Sequence, residues 1–241
     1  MYHHKKVMME LKEVLHELKS YGDERTKNTH MKHGAKEPLF GVKVADLKKI
    51  LKKTKKDHKL SLALFETGNS DAMYLAGLMA DEKQISKDDL NQWVKAAYWY
   101  YLSEYTVPWL AAESSYGFEL GLEWIRSKEE NVASAGWSTL SNYASINESL
   151  DLETYASLLD EVEEKIPNAQ NRVKYTMNGF VIAIGCYIPE LTQKAKETAE
   201  KIGKVKVFMG DTSCKVPLAL DYIKKVEDKD RIGKKRKMAR C

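Results

Sequence analysis

Proline, cysteine and long apolar runs are all scarce in this chain, and each scarcity excludes something. Five prolines in 241 residues leave long stretches in which nothing interrupts a helix. The thirteen glycines form no G-x-G-x-x-G. Gly203-Lys-Val-Lys and Gly210-Asp-Thr-Ser lack the spacing of a phosphate-binding loop, so a nucleotide-binding loop finds no support. Three cysteines, Cys186, Cys214 and Cys241, are an odd and widely spaced set, neither a disulfide framework nor a zinc pattern. Cys186 lies in an apolar run and reads as a packed thiol. Cys214 beside Lys215 reads as part of a capped turn rather than as a reactive thiol. His30-x-x-His33 has no third ligand near it, so no metal site and no cofactor are expected. No run approaches the roughly 18 to 20 apolar residues of a membrane span. The N-terminal Met-Tyr-His-His-Lys-Lys has no apolar signal core. A cytoplasmic monomer with no membrane contact is the expectation.

Charge is plentiful and segregated. Lys43 to Lys59 holds eight lysines against Asp46 and Asp57, a local charge of +6. Lys224 to Arg240 holds nine basic residues against three acids, again +6, so the rest of the chain carries −8 within a total of +4. Basic charge gathered at two places is the footprint of a polyanion site. A solvated helix face and a loose basic tail would give the same pattern.

The 3.6-residue apolar period recurs along the chain. Val7, Met8, Leu11, Val14, Leu15 and Leu18 make one stripe, and Val44, Leu47, Ile50 and Leu51 another. Gly68-Asn69-Ser70-Asp71 reads as a stop followed by a Ser or Asp cap, and Ser86-Lys-Asp-Asp as a second cap. Residues 173–186 are apolar nearly all round, which predicts a buried helix. Val205-Lys-Val-Phe reads as a short extended piece, and Pro217 to Val226 as a last helix. Helices pair as 43–56 with 58–67, 71–80 with 87–97, 117–127 with 130–143, and 152–165 with 171–186. Such pairs stack into a curved solenoid with a concave surface. The fold class expected is all-α: one helical-repeat domain over 1–203, then an extension over 204–241 with a short helix and a basic tail. A compact, non-repetitive bundle is the alternative.

Seven of the 23 aromatic residues fall between Trp93 and Trp109: Trp93, Tyr98, Trp99, Tyr100, Tyr101, Tyr105 and Trp109. Glu104 sits among them, four residues after Tyr100 and so on one face of an α-helix with it. An aromatic wall beside one acid can grip a flat or cationic group and stabilise developing positive charge. The same spacing also serves a core with one acid at its rim.

Met31-Lys-His-Gly-Ala, Gly41-Val-Lys-Val-Ala-Asp-Leu-Lys-Lys-Ile, Ala63-Leu-Phe-Glu-Thr-Gly, Leu75-Ala-Gly-Leu-Met-Ala-Asp and Gln92-Trp93-Val94 stand in an order and spacing that resemble the AlkD-like family of DNA alkylation repair proteins. The resemblance runs from about residue 10 to residue 202. It implies an all-α, HEAT-like repeat solenoid (an α-α superhelix) that holds duplex DNA in a basic groove. Active members of that family cleave the glycosidic bond of cationic alkylated purines. They use an aromatic residue with an aspartate four positions later, an arginine, and a second tryptophan on a later repeat. Those positions fall here on Tyr100, Glu104, near Ser134, and on Gly179. The carboxylate and one aromatic survive in altered form, while the cation and the second aromatic wall are replaced. Glu is one methylene longer than Asp, and a misplacement of about an ångström can cost about 100-fold in rate. Trp137 and Phe180 stand near the replaced positions, and Phe180, one residue after Gly179, points about 100° away from it on a helix.

The expected function is therefore binding of duplex DNA, including damaged or branched DNA, with glycosylase activity weak or lost. Contacts would come from Lys43, Lys48, Lys49, Lys52, Lys53, Lys55 and Lys56, and from Lys234, Lys235, Arg236 and Lys237 in the tail. Helical spacing places Lys48, Lys52 and Lys55 on one face and Lys49, Lys53 and Lys56 on another. Trp93, Trp99, Tyr105 and Trp109 would line an aromatic cleft. The first alternative is an active N-glycosylase with Glu104 as electrostatic stabiliser and Tyr100 as aromatic contact. The second is a protein-binding helical-repeat scaffold.

Overall fold

The computed structural model describes residues 9–210, 212 and 214–240. Val7, Met8, Asp211, Ser213 and Cys241 lie outside the described residues. Within them the chain is all-α, with thirteen α-helices and no strand. It divides into two compact units, one ending at Ile85 and one beginning at Ser86.

The first unit contains α1 (Leu11–Ser20), α2 (Glu24–Lys32), α3 (Val44–Thr54), α4 (His58–Glu66) and α5 (Ser70–Met79). Every residue of α5 is buried, because α3 and α4 pack on it. Its cap is Asn69, whose side chain accepts from the Asp71 and Ala72 amides, so the expected Ser or Asp cap shifts by one residue. Asp71 is thereby released for another task. Its buried carboxylate accepts the backbone N–H groups of Phe40 (2.6 Å), Gly41 (3.0 Å) and Val42 (2.9 Å), which fixes the approach to α3. Gly41 has φ +77°, and a Cβ there would lie 2.5 Å from the Lys27 amide nitrogen. Only glycine suits that turn.

The second unit contains α6 (Lys87–Ala96), α7 (Val107–Glu113), α8 (Gly117–Trp124), α9 (Glu130–Ile146), α10 (Leu152–Lys165), α11 (Asn171–Tyr187), α12 (Thr192–Ile202) and α13 (Ala219–Glu227). Ser86 caps α6 as expected, in a reciprocal box with Asp89. The two longest helices, α9 and α11, pack together at the centre. Trp137 meets Phe180 edge-on with ring centres 5.1 Å apart, and Phe180 stacks on Tyr155 at 6.0 Å. Trp137 and Phe180 are fully buried, so neither refills a wall at the replaced positions. Residues 205–210 take no regular secondary structure.

The C-terminal segment packs on this unit. Lys235 places its ammonium 2.8 Å from the carbonyls of Ala144 and of Tyr187, near the ends of α9 and α11. A lysine there satisfies helix-end carbonyls and complements both dipoles. Arg240 forms an ion pair with Glu113 at the end of α7, and the Glu113 carboxylate also accepts the Ala239 and Arg240 amides.

Candidate nucleic-acid interface

Glu104 lies on a π-helical turn, Tyr101–Thr106, not on the α-helix expected from the spacing. Pro108 supplies the reason. It has no N–H to give the Glu104 carbonyl four residues back, and its ring crowds that oxygen in an α-helix. The backbone widens instead. The Val107 amide donates to Leu102 five residues back, and the Thr106 hydroxyl donates to the Tyr101 carbonyl. Wide turns of this kind recur at functional sites.

The turn drives the Glu104 side chain inward, where it is 2% exposed. Arg172, in the first turn of α11, meets it with two parallel hydrogen bonds. Nε donates to Oε1 at 2.6 Å and Nη2 donates to Oε2 at 2.6 Å. The guanidinium carbon sits 5.1 Å from the centre of the Tyr100 ring and 4.5 Å from that of Tyr175. The Arg172 amide donates to Glu130, and Nη1 touches the Met209 sulfur at 3.5 Å. Beside it, Asn171 exchanges two hydrogen bonds with the backbone of Phe208, whose ring is exposed.

The electrostatics follow from burial. Loss of water is the largest influence on Glu104 and pushes its carboxyl up to about 7; Arg172 pulls it down and Glu130 adds a smaller push upward. Burial works against the Arg172 charge, but the hydrogen bonds and charge of Glu104 outweigh it and hold its pKa above the usual value. Burial also raises the phenols of Tyr100 and Tyr105 well above the ordinary range.

Of the residues expected to form an aromatic cleft, Trp93, Trp99 and Trp109 are buried core. Trp99 stacks on Tyr101 with centres 4.6 Å apart. A tryptophan at helical spacing buries more apolar area inward than a cleft would cover, and packing wins. Tyr100 and Tyr105 are half-buried, and Tyr105 shares a hydrogen bond with Tyr175. The cation read as replaced near Ser134 arrives from another helix as Arg172. Sequence reasoning assigned no role to Arg172 or Tyr175. Two signals pointed to them: a glutamate among aromatics needs a cation, and the arginine and tyrosine stand three apart on one face of α11.

The lysines on and just past α3 separate by partner; α3 ends at Thr54 and Lys55 follows with φ +60°, so Lys55 and Lys56 leave the helical faces expected for them. Lys49 pairs with Asp46 at 2.7 Å, Lys53 pairs with Glu17, and Lys56 pairs with Glu82. Lys48, Lys52 and Lys55 are exposed and form no ion pair with the described residues. Lys43 is exposed at the start of the helix. In the tail, Lys234 and Lys237 are exposed. Lys235 and Arg236 are engaged with the body: Arg236 donates its amide to Ser145 and Nη2 to the Ala239 carbonyl, each at 2.8 Å. The tail was expected to offer four cations to a ligand, but two of them hold helix ends and a turn, because buried carbonyls need donors.

The sequence model of a family described as DNA alkylation repair enzyme matches residues 14–205. The chain belongs to the DNA alkylation repair enzyme family. Two similar proteins, the uncharacterised Lin0241 of Listeria innocua and Lmo0209 of Listeria monocytogenes, are each 33% identical over 219 residues, covering 88% of this chain and 95% of theirs. A solved structure is similar with a TM-score of 0.89 and 36% identity, over 97% of this chain and 100% of that one. That structure belongs to a family of proteins related to the HEAT-like repeat DNA glycosylases with affinity for branched DNA structures. The all-α, HEAT-like repeat class expected for this DNA alkylation repair family member is thus its fold. No helix among the described residues is long and apolar enough to cross a membrane.

Proposed function

We propose that this member of the DNA alkylation repair family binds duplex DNA, branched duplexes included, and that its base-excising chemistry is weak or lost. One observation carries the second half. The carboxylate and aromatic rings that could hold a cationic base or sugar already hold the protein's own Arg172, paired bidentately with Glu104 and set between Tyr100 and Tyr175. Electrostatic catalysis needs a charge aimed at the place where the transition state develops its own. Here that charge is neutralised from within and shielded from solvent. A substrate cation would have to displace a guanidinium with better geometry than its own.

The first half rests on exposed Lys48 and Lys52, one turn apart on α3, with exposed Lys55 just past its end, and on the affinity for branched DNA of the family to which the similar structure belongs. Lysines contact phosphates without reading sequence, so discrimination would rest on DNA shape. The test pairs two measurements. Wild-type protein should retard three-way and four-way junctions at moderate salt, and release no more 3-methyladenine or 7-methylguanine from methylated duplex than a Glu104→Gln variant. Release that is robust in the wild type and at least tenfold lower in the variant would restore the enzyme reading. Absence of any DNA retardation would remove the binding reading and favour a protein-binding scaffold.

A further inference from the structure

A second feature of the α11 face is not used by the Glu104 site. Arg172, Tyr175, Gly179, Ile182 and Cys186 follow one another at helical spacing along one stripe of α11. About 10 Å beyond Arg172, seven residues at the helical rise, the stripe opens into a cavity of about 470 Å³ between α11, α13 and the C-terminal segment. Its floor is apolar: Gly179, Ile182, Ala183, Cys186 and Val226. Burial pushes the Cys186 thiol up to about 11, so the floor carries no charge at neutral pH. Two tyrosines, Tyr187 and Tyr222, stand at its sides, and Tyr222 is 49% exposed.

The rim is basic. Lys225, Lys229, Arg231 and Lys234 line it, and no carboxylate does. None of the four forms an ion pair with the described residues, whereas the neighbouring Glu227 is tied to Lys196 at 3.0 Å. Gly179 adds an independent observation. It sits in the middle of a helix, where glycine is unfavourable, and a Cβ built on it meets nothing within 4 Å. The position is open toward the cavity rather than forced to be small by a neighbour.

An apolar slot flanked by phenol rings and rimmed by four cations matches a flat ring that carries an anion. We propose that this cavity takes one unpaired nucleotide, its base against Tyr222 and the apolar floor and its phosphate among Lys225, Lys229 and Arg231. Base stacking on aromatic side chains combined with a basic rim is the general chemistry of unpaired nucleic acid recognition. The volume lies in the range of small-molecule pockets. The nucleotide could be a free mononucleotide or the unpaired end of a DNA strand. The strand end rests on the DNA-binding reading above, and the mononucleotide does not.

The test uses the full chain, with binding to fluorescent DNA followed by anisotropy. The substrates are a blunt duplex, the same duplex with a short unpaired 5′-phosphorylated end, and thymidine 5′-monophosphate titrated calorimetrically. Gly179→Leu fills the cavity without disturbing a helical backbone, and Lys229→Glu reverses one rim charge at an exposed position; thermal melting confirms that both fold. The wild type should prefer the unpaired end over the blunt duplex by at least about fivefold, and both variants should lose that preference while keeping blunt-duplex affinity. Monophosphate binding that disappears in Gly179→Leu also supports the proposal, with the free nucleotide as ligand. An unpaired-end preference undiminished in Gly179→Leu overturns it. So does the absence of both the preference and monophosphate binding in the wild type. Failure on the blunt duplex with intact monophosphate binding removes the DNA reading and leaves the nucleotide site standing.

Discussion

At the scale of single residues, the Glu104–Arg172 pair sets both chemistry and stability. Glu104 titrates near 7 in the folded chain against an ordinary value of 4.5. The folded state therefore holds this proton more tightly than the unfolded chain. Its contribution to stability is greatest below the ordinary value and is lost as pH rises through about 7. Arg172→Ala removes the groups that hold the carboxyl down, so the folded pKa moves further up and the penalty grows with pH. Breaking a buried pair by removing one partner typically costs about 3 kcal/mol or more. Urea unfolding of Arg172→Ala should show a deficit of about that size at pH 8 and a clearly smaller one at pH 5. Adding Glu104→Gln should flatten the difference between the two pH values. An equal deficit at both would mean that Glu104 does not carry the charge assigned to it.

At the scale of elements, the helices were legible, their pairing only partly so, and the turn bearing the site not at all. Apolar periodicity located α3, α6, α10 and α12, because each buries one stripe and the stripe survives in sequence, but the expected pairing holds only in part: α8 packs on α9 as expected, whereas α4 packs on α5 and α11 chiefly on α9. The π turn escaped because Tyr100 and Glu104 are spaced for an α-helix, and only Pro108, four residues past Glu104, signals the widening. Arg172 escaped for a different reason: its partner is 68 residues away, and helical spacing carries no information across helices. Asp71 shows how a residue read as a local cap can instead order a distant loop. Asp71→Ala would strand three backbone amides ahead of α3, two of them buried, and hydrogen bonds to a charged acceptor contribute about 1.5 to 3 kcal/mol each before relaxation. The expected loss is at least about 3 kcal/mol by denaturant unfolding, with Asn69→Ala costing nearer 1 because it removes only a cap. Comparable losses in the two variants would deny Asp71 its ordering role.

At the scale of the whole molecule, the two basic clusters of similar charge separate into different work. The C-terminal cluster is partly a fastener: Lys235 bridges the ends of α9 and α11, and Arg240 locks onto Glu113. Removing residues 230–241 should therefore lower the melting temperature, and Lys235→Met alone should lower it measurably, since two helix-end carbonyls lose their donor. A loss of DNA binding on truncation thus says nothing about phosphate contacts unless the melting temperature is unchanged. The α3 cluster is the cleaner probe. Lys48, Lys52 and Lys55 are exposed and unpaired by the described residues, so changing them to alanine leaves packing intact. Each lysine that neutralises a phosphate releases counterion and adds about 0.9 to the slope of log affinity against log salt. If all three contact phosphates, the triple alanine variant should bind duplex DNA with a slope shallower by about 2 to 3 and with affinity lower by at least about tenfold at low salt. The matched control is Lys49, Lys53 and Lys56 changed to alanine, which breaks three ion pairs and should shift stability more than the slope. Equal slopes for wild type and the Lys48/Lys52/Lys55 variant would place the DNA surface elsewhere, because an exposed lysine that touches a phosphate cannot be removed without changing the salt dependence.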